Sequence, residues 1–192
     1  MNPIQTLQDE HRVIEHVLDA LDACAVRAVH QGKDERAGLA HFVTFFREFA
    51  DACHHGKEEE ILFAAMVEHG FPRDAGPIAV MLNEHQQGRA LVAALSRLAA
   101  SPHPWSDRQR TTLMMTVRAY NELLRQHIRK EDNVLYPMAK VRLAAVMDDL
   151  AQRFDRFEEE ETGSGVHDRL HALAHELIQH YVSGQGLAHS HG

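Results

Sequence analysis

The sequence predicts an all-α protein: an up-down-up-down four-helix bundle built from a duplicated helical hairpin, with a C-terminal two-helix extension. Three observations predict it. Apolar residues recur at alternating steps of three and four, and no stretch shows the period of two that a half-buried strand requires. Short Gly- and Pro-bearing breaks separate these segments, the connection that sets consecutive helices antiparallel. The chain also repeats itself: "DEHRVIEHVLDAL" (Asp9–Leu21) aligns with "NEHQQGRALVAAL" (Asn83–Leu95), and "HHGKEEEILFA" (His54–Ala64) with "HIRKEDNVLYP" (His127–Pro137). The offset is 74 residues from His11 to His85 and 73 from His54 to His127.

The first helix has Asn2 as N-cap, Pro3 at its first position and Gln5 completing a capping box; it runs to about His30, where Gly32 supplies a stop. The second begins near Asp34 and ends at Gly70, followed by the loop "GFPRDAGP". The third starts at Pro77 and ends near Ala100, before "SPHPW". Ser106 caps the fourth, with Gln109 three residues on, and Pro137 marks its end or a kink. Residues 138 to about 160 carry Leu143, Val146, Leu150, Phe154 and Phe157 at helical spacing, then an acidic run. After "TGSG" a last helix spans Val166 to Val182, and "SGQGLAHSHG" is expected to fray. The bundle is thus assigned to residues 1–140, the extension to 141–183 and a flexible His-containing tail to 184–192.

A chain of 192 residues can bury a substantial core. A net charge of −8 without a basic stripe excludes nucleic acid as the expected partner. No apolar run approaches the ~18 residues of a membrane span. The opening "MNPIQTLQDEH" lacks the basic and apolar regions of a signal peptide, so a cytoplasmic location is expected. Cys24 and Cys53 do not make a disulfide framework and are expected as buried thiols. Sixteen histidines are the anomaly, and histidine is the commonest metal ligand.

The helical stripes show where those histidines point. The seams run through Ile4, Leu7, His11, Ile14, Leu18 and Leu21; through Phe46, Ala50, His54, Glu58, Ile61 and Ala65; through Ile78, Leu82, His85, Gly88, Val92 and Leu95; and through Tyr120, Leu124, His127, Glu131 and Val134. Histidine and glutamate therefore stand at core positions. Burying two carboxylates without a counter-charge costs several kcal/mol each and adds their repulsion. A pair of divalent metals resolves this, since His and Glu four residues apart share one helical face. The expected ligands are His11, His54, Glu58, His85, His127 and Glu131. Imidazole and carboxylate without thiolate favour iron, manganese or, less well, zinc.

His55 and Glu59 form a second His-x-x-x-Glu pair one residue out of phase; the repeat register prefers His54 and Glu58. Glu15 is expected ion-paired and His16 at the surface. Gly88 has two readings, close helix packing or room for a small ligand. Tyr120 is expected in the core. His167, His171 and His175 border an apolar arc that must be covered, along the bundle or by a second copy, so a homodimer through the C-terminal helices is one expectation.

With "DEH", "HHGKEEEILF", "NEH" and "HIRKEDNVLYP", residues 4 to about 140 resemble the hemerythrin-like (HHE cation-binding) family. The resemblance implies two iron ions in an Fe–O–Fe type di-iron centre held by the six residues named above. The third helix has Met81 and Arg89, not histidine, four residues either side of His85. This four-histidine, two-glutamate set is similar to the iron-centre repair and iron-sensing branches. It implies binding or sensing of oxygen, nitric oxide or peroxide, or iron handling. The rivals are a di-iron oxidase, peroxidase or nitric-oxide-reducing enzyme, and a regulatory module with a structural metal.

Overall fold

The computed structural model describes residues 2–102, 104–163 and 165–182, and among these it contains helices but no strand. Helix α1 is Pro3–His30. Helix α2 runs unbroken over residues 36–68, α-helical at Arg36–Phe45 and Phe63–Glu68 and π-helical at Phe46–His55 and Glu58–Leu62. Helix α3 is Gly76–Ala99. Helix α4 covers residues 107–142, with a π-helical turn, Glu131–Leu135, between Asp107–Lys130 and Tyr136–Arg142. Helix α5 covers residues 147–162 and α6 is Val166–Tyr181.

Contacts join α1 to α2, α2 to α3, α3 to α4 and α4 back to α1, the closed ring of an up-down-up-down bundle. The core falls into two apolar clusters. One gathers Ile14, Leu18, Phe42, Phe46, Val92 and Tyr120; the other gathers Ile4, Leu7, Leu62, Phe63, Ile78 and Leu135. Between them, at the same height on all four helices, lies a layer of buried histidine and glutamate.

Helices α5 and α6 cover the α1/α2 side of the bundle. Leu170, Ala174, Leu177 and Tyr181 join the first cluster, and Leu150 and Phe154 the second. The apolar arc of the last helix is therefore covered from within the chain. Among the described residues no helix is long and apolar enough to cross a membrane. The predicted tail at 184–192 lies outside the described residues.

Three local expectations change. Asn2 Oδ1 accepts from the backbone of Ile4 and Gln5, but the Gln5 amide turns to Asp9 at 2.9 Å and closes no capping box. The full box forms at Ser106 and Gln109. Pro137 does not end its helix: it follows the wide turn Glu131–Leu135, whose longer loop gives the proline ring room against the preceding carbonyls. The same turn inserts a residue into the seam. It continues from Glu131 to Leu135, which is buried, and turns Val134 outward, 51% exposed.

Candidate metal centre

Each π turn that carries a seam glutamate begins at that glutamate: Glu58–Leu62 in α2 and Glu131–Leu135 in α4, one repeat apart. Both carboxylates have no solvent exposure. His11, His54, His85 and His127 surround them, all buried. The Nε2 atoms of His11 and His127 each lie 3.2 Å from Glu131 Oε2, and those of His85 and His54 lie 3.4 and 3.8 Å from Glu58 Oε2. All six residues of the sequence assignment are thus brought together.

A second ring of carboxylates orients the imidazoles, and it too is duplicated. The glutamate preceding each lone histidine reaches the neighbouring helix: Glu10 binds His54 Nδ1 at 2.8 Å and Glu84 binds His127 Nδ1 at 3.1 Å. The acid following each seam glutamate does the complementary work. Glu59 binds His85 Nδ1 at 2.7 Å, and Asp132 binds His11 Nδ1 at 2.9 Å. With every Nδ1 so engaged, the Nε2 atoms face inward, and a carboxylate on Nδ1 is the arrangement that fixes the tautomer of a ligating histidine. These four carboxylates went unassigned in the sequence, although the recurrence of "EH" and of "EE" against "ED" was the signal that could have found them.

Several of the polar atoms facing the centre lack a hydrogen-bond partner. His54 Nε2, His55 Nε2, Glu58 Oε2 and both Glu131 oxygens are buried without a hydrogen bond. Orphaned carboxylate oxygens inside a protein are costly unless a cation meets them. Charge on the histidines supplies part of it here. Burial works against the charged form of His11, but its bond to Asp132 and the Glu131 carboxylate beside it outweigh this and raise its pKa to about 9. His85 is raised to about 9 in the same way by Glu58 and Glu59. Burial also works against charge on Glu58, yet His54 and His85 hold it well below the usual carboxylate range. Two donor groups emerge: His11, His54, Glu58 and Glu131, with donor atoms within 4.8 Å of one another, and His55, His85, His127 and Glu58, equally close. Glu58 belongs to both, as a carboxylate between two ions would. The residues fit a metal pair.

The halves differ at their edges. Beside His11, the Tyr136 hydroxyl donates to Glu58 Oε1 at 2.6 Å; its repeat counterpart, Phe63, brings no hydroxyl to His85. Lys57, which holds Glu10, is wholly buried and also donates to Glu158 of α5 at 2.7 Å, whereas its counterpart Lys130, on Glu84, is 40% exposed. On the His85 side a cavity of about 260 Å³ opens, lined by Phe46, His55, His85, Gly88, Tyr120 and His127 among others. A Cβ at Gly88 would meet only Tyr120, at an ordinary 3.7 Å, so packing does not require glycine there. Ile14 fills the matching place in α1.

Residues around the site fall largely where expected. Glu15 pairs with Arg12 at 2.8 Å and His16 is exposed. The histidine row of α6 divides: His167 and His171 pack on Phe49, His175 is exposed, and His167 stands close to Glu10 and Glu158, the two carboxylates that pair with Lys57.

Four antiparallel helices, a buried layer of imidazoles held by outer carboxylates, and glutamate shared between two donor groups define a cation-binding bundle. The chain belongs to the hemerythrin family: residues 2–139 match the Hemerythrin HHE cation binding domain. It is 36% identical over 124 residues to the Iron-sulfur cluster repair protein YtfE of Salmonella paratyphi B, with equal matches to those of Salmonella newport and Salmonella heidelberg. The matches cover 62% of this chain and 55% of theirs, so the chain spans about half the length of these curated relatives. No solved structure matches it significantly.

Proposed function

We propose that this chain holds two iron ions and binds or senses a small ligand (oxygen, nitric oxide or peroxide) or handles iron. His11 and His54 serve one ion, His85 and His127 the other, and Glu58 and Glu131 lie between them. Manganese or zinc, which the donor types also allow, ranks behind iron on the family resemblance. Bound iron would supply redox change and an exchangeable ligand position. The protein supplies the rest: Glu10, Asp132, Glu59 and Glu84 orient the imidazoles, the apolar clusters keep bulk water out, and Tyr136 holds Glu58 by a hydrogen bond. The single observation that carries this reading is the cavity reaching His85 and His127 beside Gly88, since a purely structural metal needs no such access. Iron-sulfur repair, the role in the names of the Salmonella relatives, is one form of iron handling that it would suit.

The donors also serve a di-iron oxidase, peroxidase or nitric-oxide-reducing enzyme, and exposure of the reduced protein to oxygen separates the two. A reversible spectrum marks a binder or sensor; consumption of oxygen over many turnovers marks an enzyme. A cytoplasmic location accords with Cys24 and Cys53 being buried thiols. Because α6 is covered within the chain, a homodimer through the C-terminal helices would use its polar outer face, and sedimentation equilibrium decides it. The central test is iron content with an optical spectrum on protein purified without a His-tag. About two irons per chain and a spectral response to nitric oxide are expected. Stoichiometric zinc with no response would sink the reading.

A further inference from the structure

We infer, on the basis of the ion pair proposed above, that His55 is a fifth imidazole ligand, added to the ion held by His85 and His127. The sequence repeat gives no warrant for it, because the matching residue of the second half is Ile128, buried in the apolar core. The backbone supplies the warrant. Helix α2 is π-helical over Phe46–His55, whereas the matching part of α4 stays α-helical to Lys130. A π turn bonds i to i+5 and so advances less angle per residue, which lets two consecutive side chains fall on the inward arc. His54 and His55 do so. They enter separate donor groups, His54 with His11, Glu58 and Glu131, and His55 with His85, His127 and Glu58.

The His55 ring is built like those of the other four ligands. It is buried, its Nδ1 faces Asp51 Oδ1 at 3.4 Å, and Asp51 is held in turn by Arg89 Nε at 2.8 Å. Its Nε2 is buried with no partner. The ring stacks on His85, centroids 3.8 Å apart and 15° from parallel, and meets His127 edge-on at 5.6 Å. Donor atoms within 4.8 Å of one another can share an ion whose bonds are roughly 2.0–2.2 Å long after shifts of a few tenths of an ångström. A neutral side chain kept for packing would leave that buried nitrogen unsatisfied, at a cost that an apolar residue would avoid. Three imidazoles with the shared carboxylates still leave room for one further ligand from the cavity, which His55 itself lines.

Cobalt(II) tests this without turnover. In the cobalt-loaded full chain, each bound imidazole with an Nδ1–H gives a paramagnetically shifted, exchangeable proton signal. Five such signals are expected in the native protein and four in His55→Phe, with the second cobalt bound at least about tenfold more weakly, since losing a mere outer partner already costs 10–100-fold. His55→Gln provides the same comparison if the phenylalanine variant fails to fold by circular dichroism. An unchanged signal count and unchanged affinity in the folded variant would overturn the assignment. Native protein that takes up no cobalt pair would overturn the di-metal reading and His55 ligation together.

Discussion

Lys57 Nζ, with no solvent exposure, donates to Glu158 Oε1 at 2.7 Å. Lys57 also holds Glu10, and Glu10 holds His54, so α5 contributes a charge to a chain of contacts that ends at a proposed metal ligand. Glu158→Ala should leave the buried ammonium with one carboxylate and cost roughly 1.5–3 kcal/mol, the range of a charged hydrogen bond. Lys130→Ala, at the exposed counterpart, should cost less than ~1 kcal/mol. Urea denaturation of both variants makes the comparison; equal losses would mean that α5 does not matter to Lys57.

Removal of everything after Arg142 deletes none of the six assigned ligands but strips the cover from α1 and α2. The truncated chain should still bind iron while losing stability or solubility. A folded truncation that holds no iron would place a missing ligand in α5 or α6.

Glu58→Ala and Glu131→Ala should each empty or halve the site. Glu59→Ala should leave it fillable but 10–100-fold weaker in metal affinity, because Glu59 holds His85 Nδ1. Metal titration followed by mass spectrometry would refute this register if Glu59→Ala emptied the site and Glu58→Ala did not.

Gly88 separates room from packing. Gly88→Ala meets only an ordinary contact and should stabilise α3 by up to ~1 kcal/mol with ligand binding preserved. Gly88→Leu should fill the cavity and slow nitric oxide binding at unchanged iron content. Equal stopped-flow rates in the two variants would place the access route elsewhere.

The metal-free protein should weaken as pH rises. His11 and His85 have folded pKa values of about 9, above the roughly 6.5 of an unfolded histidine. Raised values contribute stability that is complete below about pH 6.5 and lost as pH climbs through about 9. Thermal midpoints should fall across that window without metal and not with it, since the ions displace those protons. Calorimetric titration in buffers of different ionisation enthalpy should show proton release on binding. A flat metal-free profile would contradict the assignment of charge.

The repeat made the bundle, its connections and the buried gathering of all six assigned residues legible, because duplicated His-x-x-x-Glu on core seams has few other uses. The π turns were not legible. They shift the seam by one residue, and spacing by three and four cannot reveal where; hence Val134 was placed inside in place of Leu135, and His55 was set against His54 as an alternative when both point inward. Tyr136 aligned with Phe63, and only the fold shows that its extra oxygen lands on Glu58. Lys57 with Glu158 had no local signal at all, since their contact depends on where α5 lies across the bundle.

The glycine at position 88 and the tyrosine at position 136 sit on opposite flanks of the same layer, one beside an opening and the other fully enclosed. Among the described residues, the chamber opens on the Gly88 side and Tyr136 lies enclosed on the other. A ligand that both enters and leaves past Gly88 uses one doorway, so a guest lodged there delays arrival and departure alike. Widening or narrowing that doorway should change the two rates together and leave the equilibrium between them nearly untouched.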